Sequence, residues 1–271
     1  MSNKETIPGN ELPTRGPTPP PGKPTQDAKL LSKEESRSFT DTDTWRVFRI
    51  MGEFVEGFET LADTGEAVSI FGSARARPDN PQYQQAVEVA RLLGEAGFAI
   101  ITGGGPGIME AGNRGARLAG APSIGLNIEL PFEQGSNRFV DIPIDHHYFF
   151  VRKTMFVKYS QAFIIFPGGF GTMDELFEAL TLIQTGKIDN FPVVLFDSNY
   201  WKGLLDWLRG TMLAGGKIAA EDLDLILVTD SPEEVRDFIV RARVDSAEQR
   251  AREARAREVA RQAYGEGYSA E

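Results

Sequence analysis

Ala162-Phe163-Ile164-Ile165-Phe166-Pro167-Gly168-Gly169-Phe170-Gly171-Thr172 is an unbroken apolar run that ends in glycine and restarts as a helix. Five apolar residues without polar alternation predict a strand covered on both faces, as in parallel sheets. Residues 172–185 then show helical periodicity. The same strand–turn–helix pattern extends in both directions. Strands are predicted over 67–71, 98–102, 122–127, 192–196 and 225–229. Helices are predicted over 81–96, 108–119, 148–160, 200–213 and 232–242, with an irregular stretch from 128 to about His147. A first amphipathic helix, 44–61, carries Trp45, Phe48, Val55 and Phe58 near helical spacing. This alternation predicts an α/β fold: a Rossmann-like doubly wound parallel sheet, one domain with an extra N-terminal helix. Ligands of such folds sit beyond the carboxyl ends of the strands.

The flanks differ in composition. Residues 1–40 carry Pro17, Pro19, Pro20, Pro21 and Pro24 and few apolar anchors, which predicts a disordered tail. Residues 41–244 are expected to hold the Rossmann-like domain. Residues 245–271, rich in Ala, Arg and Glu, form a charged tail, helical or mobile.

Charge and composition remove several functions. A net charge of −10 argues against nucleic acid as a partner, because phosphate backbones select clustered Lys and Arg. Without cysteines there is no thiol nucleophile or zinc-thiolate site, and two adjacent histidines make no metal cage alone. No metal and no cofactor are expected. The absence of a signal-like leader or a membrane-length apolar run points to a cytoplasmic protein with no membrane partner. An acidic chain that binds phosphate does so locally, through oriented amides and one or two cations.

Three strand ends supply such amides: Gly72-Ser73-Ala74, Gly103-Gly104-Gly105-Pro106-Gly107 and Pro167-Gly168-Gly169-Phe170-Gly171-Thr172. Glycine lets main-chain N–H groups approach a ligand, and the following helix start favours an anion. None is a Walker loop, and Ile108 breaks the dinucleotide pattern. Tight βα turns are the plain alternative. In the third turn Thr172 and Glu175 also read as a capping box.

Glu178 lies one turn beyond Glu175, so both carboxylates share a helix face with Thr172. A carboxylate pair beside a phosphate seat suits cleavage at a sugar's anomeric carbon, through an oxocarbenium-like state. Arg152 emerges among Phe149, Met155 and Phe156, where an unpaired charge is costly. It awaits either a ligand or a structural ion pair. Lys153 points elsewhere on that helix and reads equally as a surface lysine. Glu110 either reaches the ligand or complements its helix dipole, and His146 and His147 read as surface or capping residues.

In this order, Gly103-Gly104-Gly105-Pro106-Gly107-Ile108-Met109-Glu110, Arg152-Lys153 and Pro167-Gly168-Gly169-x-Gly171-Thr172-x-x-Glu175 resemble the Lonely Guy family. Its members are cytokinin-activating nucleoside 5′-monophosphate phosphoribohydrolases, often labelled lysine decarboxylases. The resemblance spans residues 68–241. It implies that Gly168, Gly169, Gly171 and Thr172 hold the 5′-phosphate of the substrate, and that Arg152 and Glu175 are catalytic. Ser73, Gly104, Gly105, Met109, Glu110, Lys153 and Glu178 complete the candidate substrate contacts. The resemblance also implies a metal-free homodimer or higher homo-oligomer, and an adenine or N6-prenylated adenine base, as in AMP or a cytokinin riboside monophosphate. Phe149-Phe150 stand where short plant-like members carry Met-His, and the N-terminal extension is additional. Both features are closer to the longer bacterial branch.

Two other classes compete. A nucleotide or molybdenum-cofactor carrier would use the same loops without turnover. Amino-acid decarboxylation needs a Schiff-base lysine with a supporting acid, and the sequence offers no place for one.

Overall fold

The computed structural model describes residues 24–32, 42–131, 135–188, 191–224 and 226–264. Their strands are β1 (Ala67–Phe71), β2 (Ala99–Thr102), β3 (Ser123–Ile128), β4 (Ile142–His146), β5 (Ser160–Ile165), β6 (Val193–Phe196) and β7 (Ile226–Thr229). The helices are α1 (Gln26–Leu30), α2 (Asp43–Leu61), α3 (Pro81–Glu95), α4 (Ile108–Ala119), α5 (Phe149–Tyr159), α6 (Phe170–Gln184), α7 (Ser198–Trp207), α8 (Glu221–Asp224) and α9 (Pro232–Tyr264). All seven strands pair in parallel, in the order β4-β3-β2-β1-β5-β6-β7.

The apolar runs split between two cores by the two-residue period of a strand. On β1, Val68 and Ile70 face α3, α4 and α9, with Val89, Ala111 and Val235. Ala67 and Phe71 face α5, α6 and α7, with Phe156, Leu176 and Trp201. A fully buried side chain of this size contributes roughly 1.5–3 kcal/mol, which is why continuous apolar strands lie at the centre of the sheet. The chain steps outward from β1 to β4, then returns to set β5 against β1. The connections therefore diverge between β1 and β5, the place where doubly wound sheets open a crevice.

Several elements depart from the sequence expectation. The segment before His147, expected to be irregular, contains β4. It is an edge strand with Pro143 and only partial burial, so it lacks the apolar run of a central strand. The α2 face carrying Trp45, Phe48, Val55 and Phe58 is exposed, whereas Leu61 is buried and Ile50 and Phe54 pack on the core. Gly57 allows that approach, since a Cβ there would stand 2.8 Å from Met155 Sδ. Within the stretch expected to be disordered, residues 26–30 form α1, because Leu30 finds the core and Thr25 caps the helix by accepting from Ala28 N. The remainder of residues 1–40 lies outside the described residues. Helix α7 passes into a π-helical turn over Leu208–Leu213 instead of running on as α-helix.

At the other end, α9 continues through residue 264 as helix. Val235 and Ile239 bury its first turns, and Arg243 lies 4.7 Å over the Phe98 ring. No helix of the described residues is long and apolar enough to cross a membrane.

Candidate active site

Ser73, just beyond β1, joins the three glycine turns through its main chain. Its N–H donates to the Pro167 carbonyl at 2.9 Å, and its carbonyl accepts from Ile108 N at 3.0 Å. The turn after β1 is thereby tied to the turn after β5 on one side and to the start of α4 on the other. Gly107 makes the second junction possible: its φ is +71°, and a Cβ would stand 2.3 Å from Ser73 O.

The turn after β2 is held from below. Thr102 Oγ1 accepts from Gly104 N at 3.0 Å and donates to Asn113 Oδ1 at 2.6 Å. Asn113 is fully buried on α4. From the far side Asn137 Nδ2 reaches the Gly104 and Gly105 carbonyls, both at 3.0 Å. The turn, of which only Pro106 is exposed, is in this way fixed like a core element.

Helix α6 begins at Phe170, three residues earlier than the capping-box reading requires. Its N-cap is Gly169, and no side chain caps it. Thr172 therefore sits inside the first turn and packs on Gly168, where a Cβ would stand 2.0 Å from Thr172 Oγ1. The capping box is thus corrected, and Glu175 has no capping duty. Among the described residues, the amides of Gly169, Phe170 and Gly171 donate to no protein group. A Cβ at Gly169 or Gly171 would meet nothing within 4 Å, so the space before these amides is open. That combination of free N–H groups and helix dipole is an anion seat.

Glu175, on the second turn of α6, is 3% exposed, and its Oε2 has no hydrogen-bond partner. Burial pushes its carboxyl up to about 7, against the opposing pull of Lys153 and Arg152. Lys153 Nζ lies 2.8 Å from Asp174, 3.6 Å from Glu175 and 2.7 Å from Glu178. Burial lowers the Lys153 ammonium, but the pairs with Asp174 and Glu178 outweigh it and leave its pKa above the ordinary value. Lys153 is accordingly neither a surface lysine nor a wall of the cleft; it fixes the carboxylate face of α6. The shared face expected for Glu175 and Glu178 is evident in this common partner.

Arg152 lies 5.3 Å from the Phe149 ring centroid and 5.5 Å from that of Phe156. No carboxylate approaches it within 4 Å among the described residues, and its Nε has no partner, so the structural ion pair is absent. Burial lowers its pKa, with Glu175, Asp174 and Asp27 acting in the opposite direction.

These groups line one cleft of about 610 Å³, within the range of small-molecule sites. Of the expected residues, Ser73, Gly105, Met109 and Arg152 line it, together with Gly169, Gly171, Thr172 and Glu175. Gly104 and Gly168 shape the turns behind the wall. Glu178 is held by Lys153. Glu110 accepts from the Tyr83 hydroxyl at 3.1 Å and is not among the residues that line the cleft. His146 is no surface residue: it is buried on β4, with Nδ1 3.2 Å from Asn127 O, and burial pulls its pKa down to about 4. His147 pairs with Glu53 on α2.

Sequence reasoning missed Arg75, Asn127, Phe156 and Phe170 as lining residues. Two had a readable signal. Arg75 follows Ser73 by two positions, and Asn127 is a polar residue closing an apolar strand.

A family model described as "possible lysine decarboxylase" matches residues 109–239. The chain is 31% identical over 159 residues to a cytokinin riboside 5′-monophosphate phosphoribohydrolase of Mycobacterium tuberculosis, covering 56% of this chain and 84% of that protein. The chain belongs to the Lonely Guy family. A probable Lonely Guy phosphoribohydrolase of Oryza sativa is 28% identical over 174 residues, 62% of this chain and 68% of its own length. Among solved structures, the molybdenum cofactor carrier protein of Chlamydomonas reinhardtii is similar at a TM-score of 0.48 and 22% identity, over 66% of this chain and 98% of that one. The molybdenum cofactor binding protein of Rippkaea orientalis is similar at 0.47 and 25%, over 64% and 93%. Both structural likenesses are distant. The chain's Lonely Guy relatives carry the name of nucleotide phosphoribohydrolases.

Proposed function

We propose that this chain hydrolyses the N-glycosidic bond of a nucleoside 5′-monophosphate, AMP or its N6-prenylated form, to free base and ribose 5-phosphate. The observation that carries the reading is Glu175. It is a buried carboxylate whose pKa lies near neutrality, in one cleft with an arginine that has no counter-ion within 4 Å, and a helix start whose amides are free, among the described residues. The 5′-phosphate sits on the Gly169–Gly171 amides. Arg152 holds the substrate's polar groups over its aromatic shelf. As the C1′–N bond breaks, its electron pair leaves with the base, and the Glu175 carboxylate balances the positive charge on the sugar. Water then adds its oxygen to C1′ and gives up a proton, and the base gains one. A carrier without turnover would use the same amides but has no use for such a carboxylate.

Two expected results test this. Adenosine lacks the group that the α6 start binds, so its kcat/KM falls below that of AMP by a factor of on the order of 10² or more, for the loss of charge-assisted hydrogen bonds. Equal release of adenine from both, measured by chromatography, removes the phosphate assignment. The pH profile follows from Glu175, which acts as the ionised form. Turnover rises with pH through about 7 and flattens above it. A flat profile between pH 5.5 and 8.5 contradicts the role. The reading includes the homo-oligomer that the resemblance implies; sedimentation velocity that finds only monomer at micromolar concentration removes that part.

A further inference from the structure

The short helix α1 is joined to the surroundings of the site by contacts 103 and 122 residues apart in sequence. Gln26 N donates to Glu129 Oε2 at 2.8 Å, just beyond the end of β3, and Phe149 N donates to Asp27 Oδ2 at 3.1 Å. Ile128 and Leu130, on either side of Glu129, line the cleft. Thr25 is buried and Leu30 packs on the core, so the segment is docked at both ends.

Phe149 opens α5, and the N-cap of that helix, Tyr148, provides no side-chain cap. Asp27 therefore supplies from 122 residues away the acceptor that an N-cap residue ordinarily supplies locally. Arg152 is one turn into the same helix, and its charge and that of Asp27 attract one another. No carboxylate, Asp27 included, lies within ion-pair distance of Arg152 among the described residues; the Phe149 and Phe156 rings flank it.

We propose that Asp27 is a positioning residue: from the N-terminal segment it caps α5 and so fixes the aim of Arg152 into the cleft. Asp27 lies well outside the residues 109–239 matched by the family model, so the device belongs to the N-terminal extension. The inference rests on the substrate-holding role of Arg152 in the proposed function.

The test is a mutant cycle between Asp27 and Arg152, read both as KM for AMP hydrolysis and as AMP affinity by calorimetry. Asp27→Ala removes the cap and raises KM about tenfold, the scale of a lost helix cap, with kcat within about threefold of wild type. Asp27→Asn keeps an acceptor oxygen and restores KM to within about twofold, as Asn caps nearly as well as Asp. In the Arg152→Ala background, Asp27→Ala has no further effect. An unchanged KM in Asp27→Ala, or a full tenfold effect that persists without Arg152, overturns the proposal. If wild type binds AMP but does not hydrolyse it, the hydrolase reading fails alone, and the cycle on affinity still decides the role of Asp27. If it does not bind AMP at all, both fall.

Discussion

Glu175→Gln is expected to fold, to bind AMP and to lose turnover by a factor of on the order of 10²–10⁴, the scale of a positioned acid–base or charge-stabilising group. Glutamine matches the size of glutamate but carries no charge to offset the developing cation at C1′. The helix should be indifferent to the change, because α6 is capped at Gly169 and Glu175 takes no part in that cap. Stability gives a second, independent readout. The carboxyl is raised from its usual 4.5 to about 7, so the folded state favours the protonated form. Its contribution to stability is fully present at low pH and is lost as pH rises through 7. At pH 8 the charged group opposes folding by up to roughly 3 kcal/mol, at about 1.4 kcal/mol per unit, and glutamine relieves part of this. Melting temperature should rise at pH 8 and change little at pH 5. A variant that melts early yet turns over normally per folded molecule would show Glu175 to be structural.

Arg152→Ala is expected to raise KM for AMP by a factor of on the order of 10², since removing a buried, hydrogen-bonded charge partner costs about 2–5 kcal/mol. The effect on kcat should be smaller, because the guanidinium holds substrate groups in the ground state and the transition state alike. The acid limb of the profile should move upward as well, because Arg152 is one of the charges that pull Glu175 down. Arg152→Lys should rescue little, as an ammonium cannot present a planar fork of donors. The protein itself should tolerate the alanine, since no carboxylate within 4 Å among the described residues depends on this side chain. An unchanged KM together with a large fall in melting temperature would assign Arg152 to folding instead.

The order of strands and helices along the chain was legible because the interior strands are short apolar runs, three of them (β1, β2 and β5) closed by glycine, a signal contained within about ten residues. Glu175 and the Gly168–Thr172 turn were legible for the same reason. What escaped was set by distant partners. Edge strand β4 pairs with β3 on one side only, so Pro143 and Asp145 are tolerated and the apolar signature disappears. The buried network of Thr102, Asn113 and Asn137 carries no local mark, because its members meet only when α4 and the segment after β3 close on the β2 turn. Glu110 has the position of a ligand contact, yet Tyr83 from α3 takes its carboxylate. Helix α2 was read by its apolar stripe, but the buried face is the one that Gly57 lets approach α5.

The junction at Ser73 has a consequence for how this site tolerates evolutionary change. Both of its links, to Pro167 and to Ile108, run through peptide groups, so the three turns keep their relation whatever side chain occupies the position. A side chain at Gly107 would press on the Ser73 carbonyl and loosen the second link, and an insertion or deletion that shifts the register would break both. Drift in the surrounding sequence can therefore reshape the far end of the cleft while the turn geometry persists, and tolerated length changes should avoid the few residues beyond β1, β2 and β5.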